Sequence, residues 1–393
     1  DAPLSAHADH HAIVAAPGFN GATTRTVYFG NDGGVYRATD VYAVTPTDGW
    51  QELNNNLGIT QFYGAAGNAA SGVIVGGTQD NGTLRYAGDS EGWTTMFGGD
   101  GGFSAADPGD PDYFYGEYVY LQIHRSSNGG LTSNYITSGL TDAGACANFI
   151  APFILDPNNP NTLLGGGCSL WRSTNAKAPT PAWTAIKAPS ADPISAIAVA
   201  PGHSNLIWVG HNDGAVFTTT TGADPAPAWT RVDANGLGLP DRFVTRIAID
   251  PVNAQRVYVT FGGFSSDNVW RTTDGGLTWA DVSGSGAAGL PAAPVRSLVI
   301  HPNNPSWLYV GTEVGVFASE DGGATWQLPQ AGPANVSVDE LFWLNADTLV
   351  AATHGRGLFR TTPGALLSAT AVRWTEAAGN GDGVADPGEI LNV

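Results

Sequence analysis

The stretch HADHH, residues 7–11, sets three imidazoles and a carboxylate within five positions. In an extended strand His7, Asp9 and His11 point to one side, yet at ~3.3 Å per residue His7 and His11 stand roughly 13 Å apart. That is too far for one ion. Adjacent members, joined by Asp32 or Asp100 from neighbouring turns, could still ligate a divalent cation. The same residue types return in GNDGG (30–34) with Asp32, TQDNG (78–82) with Gln79 and Asp80, and GDGG (99–102) with Asp100. They return again in HNDG (211–214) with His211 and Asp213, and in THGRG (353–357) with His354 and Arg356. Carboxylates, carboxamides and imidazoles together suit either the binding of a polar ligand or acid–base work by a carboxyl pair. Asp32 and Asp100 are the candidate catalytic pair. His7, Asp9, His10, His11, Gln79, Asp80, His211, Asp213, His354 and Arg356 are the candidate ligand-binding set.

The elements that must position these residues form a repeat. Apolar runs closing on Pro recur at AIVAAP (12–17), FSAADP (103–108), APFILDP (151–157), AIAVAP (196–201), RIAIDP (246–251) and SLVIHP (297–302). ITQFYGAA (59–66) and ELFWLNA (340–346) are looser copies. Each is followed by a turn, a second strand such as LIWVG, another turn, and a third strand such as VWRTT. A short fourth strand carries Trp50, Trp93, Trp183, Trp229, Trp279 or Trp326. The period of roughly 45 residues matches a four-stranded propeller blade. β-Branched and aromatic runs bounded by Gly, Asn, Asp and Pro favour strands throughout. Eight units predict an all-β chain folded as one eight-bladed β-propeller, with seven blades plus an irregular segment as the alternative. The propeller is expected over residues 1–364. Residues 365–393 would be a closing strand or linker and the start of a following domain, with ALLSATAVRW (365–374) or the N-terminus completing the last blade.

Antiparallel strands running outward from an axis divide the turns between two faces. Second-to-third-strand turns and blade-to-blade links open on one face; the remaining turns open on the other. TTDGGLTW (272–279) and SEDGGATW (319–326) belong to the second group, with HRSSNGGLTS (124–133) as a degraded copy. Asp274 and Asp321 are therefore read as acids that hold their own turns. Asp32, Asp80, Asp100, Asp213 and Glu313 reach the opposite face, with most of the eight histidines and the link residues Asp241, Arg242 and Arg246. Each acid taken alone reads as a turn residue. The face as a whole reads as a ligand site.

Composition bounds the partners. The chain has 393 residues with 16 Lys+Arg against 35 Asp+Glu, a net charge of −19, which disfavours nucleic acid. No apolar run approaches the ~18 residues of a membrane span, so no membrane insertion is expected. Cys146 and Cys168 fall at the same end of adjacent antiparallel strands, which predicts a disulfide and an oxidising compartment. In the tail, Asn380, Asp382, Gly383, Asp386 and Glu389 take positions 3, 5, 6, 9 and 12 of an EF-hand-type loop, with Ala378 unable to ligate at position 1. The readings there are calcium or a solvated linker turn. No other cofactor is required.

The paired S/T-x-D-x-G-x-T-W segments, recurring at one place in the repeat, resemble the Asp-box (BNR-repeat) propellers over roughly residues 7–362. That superfamily includes sialidases, sortilin-type receptors, a photosystem II assembly propeller and the family 74 xyloglucan hydrolases. With HADHH, GNDGGVY, GGTQDNG, GGDGG and THGRG, the chain looks most like secreted bacterial glycosyl-hydrolase-like propellers. The sialidase Phe-Arg-Ile-Pro segment and arginine triad are missing. NDGGVYR is similar to the first-aspartate segment of family 74 enzymes, which implies a base at Asp32 with Asp100 as partner, although those enzymes build their cleft from two propellers. The resemblance implies a secreted or cell-surface bacterial protein that binds an extracellular glycan or protein. A glycoside hydrolase and a structural module of a longer surface polypeptide are the alternatives.

Overall fold

The computed structural model describes residues 5–90, 92–233, 238–329 and 332–363, and the backbone of the short strands Thr375–Ala378 and Ile390–Asn392. The chain divides into two compact units, Asp1–Pro363 and Gly364–Val393. In the second, Thr375–Ala378 pairs antiparallel with Ile390–Asn392. The tail residues Asn380, Asp382, Asp386 and Glu389 lie outside the described residues, as does 365–374.

The first unit is built from eight antiparallel sheets in chain order: residues 10–52, 62–97, 104–135, 153–187, 194–231, 244–281, 295–319 and 337–361. Six have four strands; the last two have three. Among the described residues there is no α-helix, only a single 3-10 turn at Gly286–Ala288. This is a β-propeller, and its eight sheets match the eight units of the repeat.

The inner strands explain the architecture. ISAIAVA, residues Ile194–Ala200, is buried at every position because neighbouring sheets cover both its faces, which is why it reads as a continuous apolar run. Inner strands pack in cyclic order from Phe62–Gly67 in the second sheet to Ser337–Asn345 in the eighth. The eighth then packs back on the second, where Phe62, Ala65 and Ile74 share a core with Val350 and Ala352. Thr60 O accepts the amides of Gly355 and Gly357 at the same seam. Seven sheets thus close a ring. The first sheet stands against it, with a small core of its own around Val27, Phe29 and Ala38. Its inner strand, His10–Ala15, is exposed along its whole length.

Trp183, Trp229 and Trp279 stand just before the fourth strands rather than in them, and Trp326 follows a three-stranded seventh sheet. All four tie their sheet to the preceding one. Indole Nε1–H groups of Trp183, Trp229, Trp279 and Trp326 donate to the carbonyls of Ile136, Ile186, Val232 and Val282, at 2.7–2.9 Å. The TTDGGLTW and SEDGGATW turns aim Trp279 and Trp326. Asp274 accepts the Thr272 and Thr278 hydroxyls and the Thr278 amide; Asp321 does the same with Ser319 and Thr325. In the degraded copy the amide oxygen of Asn128 takes the Ser126 hydroxyl and Thr132 amide. Cys146 and Cys168 are joined in a disulfide with Cα atoms 5.5 Å apart.

Candidate functional site

Where the first sheet meets the second, two turns are laced together. The turn Asn31–Gly34 brings Asp32 against His11, whose Nε2 lies 2.6 Å from Asp32 Oδ1. His11 is 69% exposed, so the pair adds little stability and mainly orients the carboxylate. Asn81 Nδ2 donates to Asp32 O (3.0 Å), and His7 Nε2 lies 3.1 Å from Asp80 O. Asn31 Nδ2 donates to His7 O. Asn54 closes the arrangement, accepting the Val35 amide and donating to Gly33 O. Glycine is required here by contact as well as by backbone angle. A Cβ at Gly33 would sit 2.4 Å from His7 Cβ, and one at Gly34 (φ +113°) would sit 2.1 Å from Asn54 Oδ1.

GDGG (99–102) enters from the next link. Asp100 Oδ1 accepts the Asp80 amide at 3.0 Å and holds Asp80 in the left-handed region at φ +59°, a conformation Asp and Asn tolerate better than most residues. Tyr63 O–H donates to Gln79 Oε1 at 3.0 Å, and its ring centroid lies 4.9 Å from that of His354. The resulting cleft, of about 690 Å³, is lined by Asp32, Glu52, Asp80, Gln61, Gln79 and Asn81, with Leu57, Ile59 and Leu84 as apolar wall.

The electrostatics are those of gathered like charges. Burial, then the neighbouring Asp100 and Asp32, push the Asp80 carboxyl above its ordinary value. Burial also raises the Tyr63 hydroxyl, with Asp100, Asp80 and Asp339 adding to it. Asp339 is raised by burial against the opposing pull of its Ser337 bond, Arg296 and His354. The arginines of this face have their own acids: Arg242 with Asp267, Arg246 with Glu340 and Arg296 with Glu313. They leave the cleft acids without a cation from that source. Among the described residues no group of three or more His, Cys, Asp or Glu side chains is arranged to hold a metal ion.

Of the residues singled out from sequence, His7, Asp32, Gln79 and Asp80 line the cleft. Asp100, His11 and His354 contact those residues or Tyr63. Asp9 acts on Asp80 through charge alone. His10 packs on Phe29 and Trp50 of the first sheet, and its Nδ1 lies 3.3 Å from Nδ2 of Asn31, which lines the cleft. The others go elsewhere. His211 is buried in the fifth sheet against Asp192 O and Phe217, and Asp213 accepts the Ala215 amide of its own turn. Arg356 lines the adjacent hollow. Sequence reasoning missed Tyr63, Asp339, Glu52, Asn54, Gln61 and Asn81. Tyr63 and Asp339 sit at the starts of inner strands, so the link rule that found Arg246 could have found them too.

No protein-family model matches the chain. An oligoxyloglucan-reducing end-specific xyloglucanase of Emericella nidulans is 25% identical over 140 residues, 35% of this chain and 16% of that protein. Xyloglucanase Xgh74A of Acetivibrio thermocellus is 34% identical over 101 residues, 23% of this chain and 12% of that protein. The matched stretches thus span under a fifth of those relatives' length. Among solved structures, YCF48 from Cyanidioschyzon merolae superposes with a TM-score of 0.56 at 11% identity, covering 77% of this chain and 95% of the other. That likeness concerns the fold. The chain is a β-propeller.

Proposed function

We propose that this propeller is an extracellular protein that binds a neutral glycan in the cleft between its first two sheets. The observation that carries the reading is the cleft lining itself. Three carboxyl and several carboxamide groups, which pair with vicinal hydroxyls, stand beside Leu57, Ile59 and Leu84, which suit the apolar faces of sugar rings. The acid-rich lining and a net charge of −19 disfavour sulfated or uronic polymers. The short likeness to xyloglucanases makes a xyloglucan-type β-glucan the first ligand to try. The disulfide favours an exported protein, and the S/T-x-D-x-G-x-T-W turns support a place among the Asp-box propellers.

A second reading is hydrolysis, favoured by the raised Asp80 carboxyl. Asp80 would hold a proton for the leaving oxygen, with Asp32 as base or nucleophile and Asp100 positioning Asp80. The two readings separate in one assay of xyloglucan binding and reducing-end release. Asp80→Asn, which keeps the left-handed turn, lowers release by about 10²–10⁴-fold if hydrolysis is the function. Binding without release by the wild type leaves recognition alone. Neither binding nor release from neutral polysaccharides removes both readings.

A further inference from the structure

A second hollow of about 650 Å³ adjoins the acidic cleft along the linker that enters the second sheet. The two share five lining residues, Glu52, Asn54, Leu57, Thr60 and Leu84, so they abut one another. Their chemistry differs. The first gathers acids and amides, whereas the second presents Tyr86, Trp93 and Phe359, with Arg356 at its edge. Trp93 packs against Phe62 and Tyr86, with ring centroids 5.6 and 5.3 Å away, which fixes the indole plane. Phe359 is 39% exposed and Leu57 38%. Each hollow alone has the ~300–1,000 Å³ typical of a whole ligand site.

We infer that the two hollows are one groove, that Trp93 and Phe359 form an aromatic subsite, and that the ligand is a linear oligosaccharide chain long enough to occupy both. The inference rests on the glycan reading of the acidic cleft. Aromatic faces stack on the C–H faces of sugar rings without demanding charge, and Asn55 and Asn56 of the linker supply hydrogen bonds beside them. Short saccharides then bind through the acid and amide end, and extension adds the aromatic contacts.

Calorimetric titration with neutral β-linked gluco-oligosaccharides, from disaccharide to octasaccharide, tests this on the wild type, Trp93→Ala and Phe359→Ala. The exposed Phe359 offers a substitution that spares the core. Affinity is expected to rise with chain length. Either variant should cost about tenfold for the octasaccharide and nothing for the shortest ligand that binds. Equal wild-type affinity at every length overturns the inference and leaves the cleft reading standing. So does a loss in both variants that is the same at every length. Absence of binding at all lengths removes the cleft reading and this inference with it.

Discussion

Aspartates stand at both ends of the blades, under opposite electrical conditions. Asp274 is pulled down to about 2 by bonds from the Thr278 hydroxyl and amide and the Thr272 hydroxyl. For Asp321, burial works the other way, but the Thr325 amide and hydroxyl and the Ser319 hydroxyl prevail and hold it below its ordinary value. Asp80, at the other end, is pushed up by burial, Asp100 and Asp32. A carboxylate whose own turn satisfies it serves the fold. One crowded by other acids is an energetic liability that a ligand or a proton can relieve.

The sharpest way to break this contrast is through packing. Trp326 is 2% exposed and bonded to Val282 O, so Trp326→Ala is expected to cost about 3–5 kcal/mol in denaturant unfolding. Glycan affinity of the folded fraction should be unchanged. A large affinity loss there would mean that the two ends are coupled.

Asp80→Asn tests the crowded end in the opposite direction. A raised folded-state pKa means that the acid favours folding at low pH and disfavours it as pH rises from the ordinary carboxylate range through the raised value. The variant should therefore melt about 1–3 °C higher at pH 7, with the gain vanishing near pH 3. A lower melting temperature at pH 7 would show that Asp80 is satisfied as an anion.

Smallest is the effect of Asp321→Asn, which leaves the arrangement Asn128 already has in the third sheet. Here the folded value is depressed, so the stabilisation is present above the ordinary carboxylate range and lost as pH falls below it. After allowance for solvent screening, the variant should melt less than about 2 °C lower at pH 7 and match the wild type near pH 2. A drop at pH 7 that persists at pH 2 would point to geometry and not charge.

Much of the fold was legible because its rules are local. Period-2 apolar runs, Asn- and Gly-rich turns and a Trp at the outer edge each report a short stretch of chain, and their recurrence gives eight sheets. Ring closure was not legible. AIVAA (12–16) and AIAVA (196–200) have the same composition, yet His10–Ala15 is exposed throughout and Ile194–Ala200 buried throughout. Which strand meets the eighth sheet depends on tertiary packing, and no pattern within one unit encodes it. The site followed the same division. Topology sent Asp32, Asp80 and Asp100 to one face, and they lie near one another there. His211 and Asp213 reach that face as well, but in the fifth sheet, where they serve their own blade. A face is legible from strand order; a position around the axis is not.

The exposed inner strand of the first sheet has a thermodynamic consequence. Seven sheets close on themselves without it, and its own core rests on three buried residues. One wall of the cleft therefore belongs to a sheet with little core of its own, the kind of element expected to open before a closed ring does. Ligand held between the first and second sheets would stabilise that opening element far more than the ring. Occupancy and local folding of residues 10–52 are then two readings of one equilibrium.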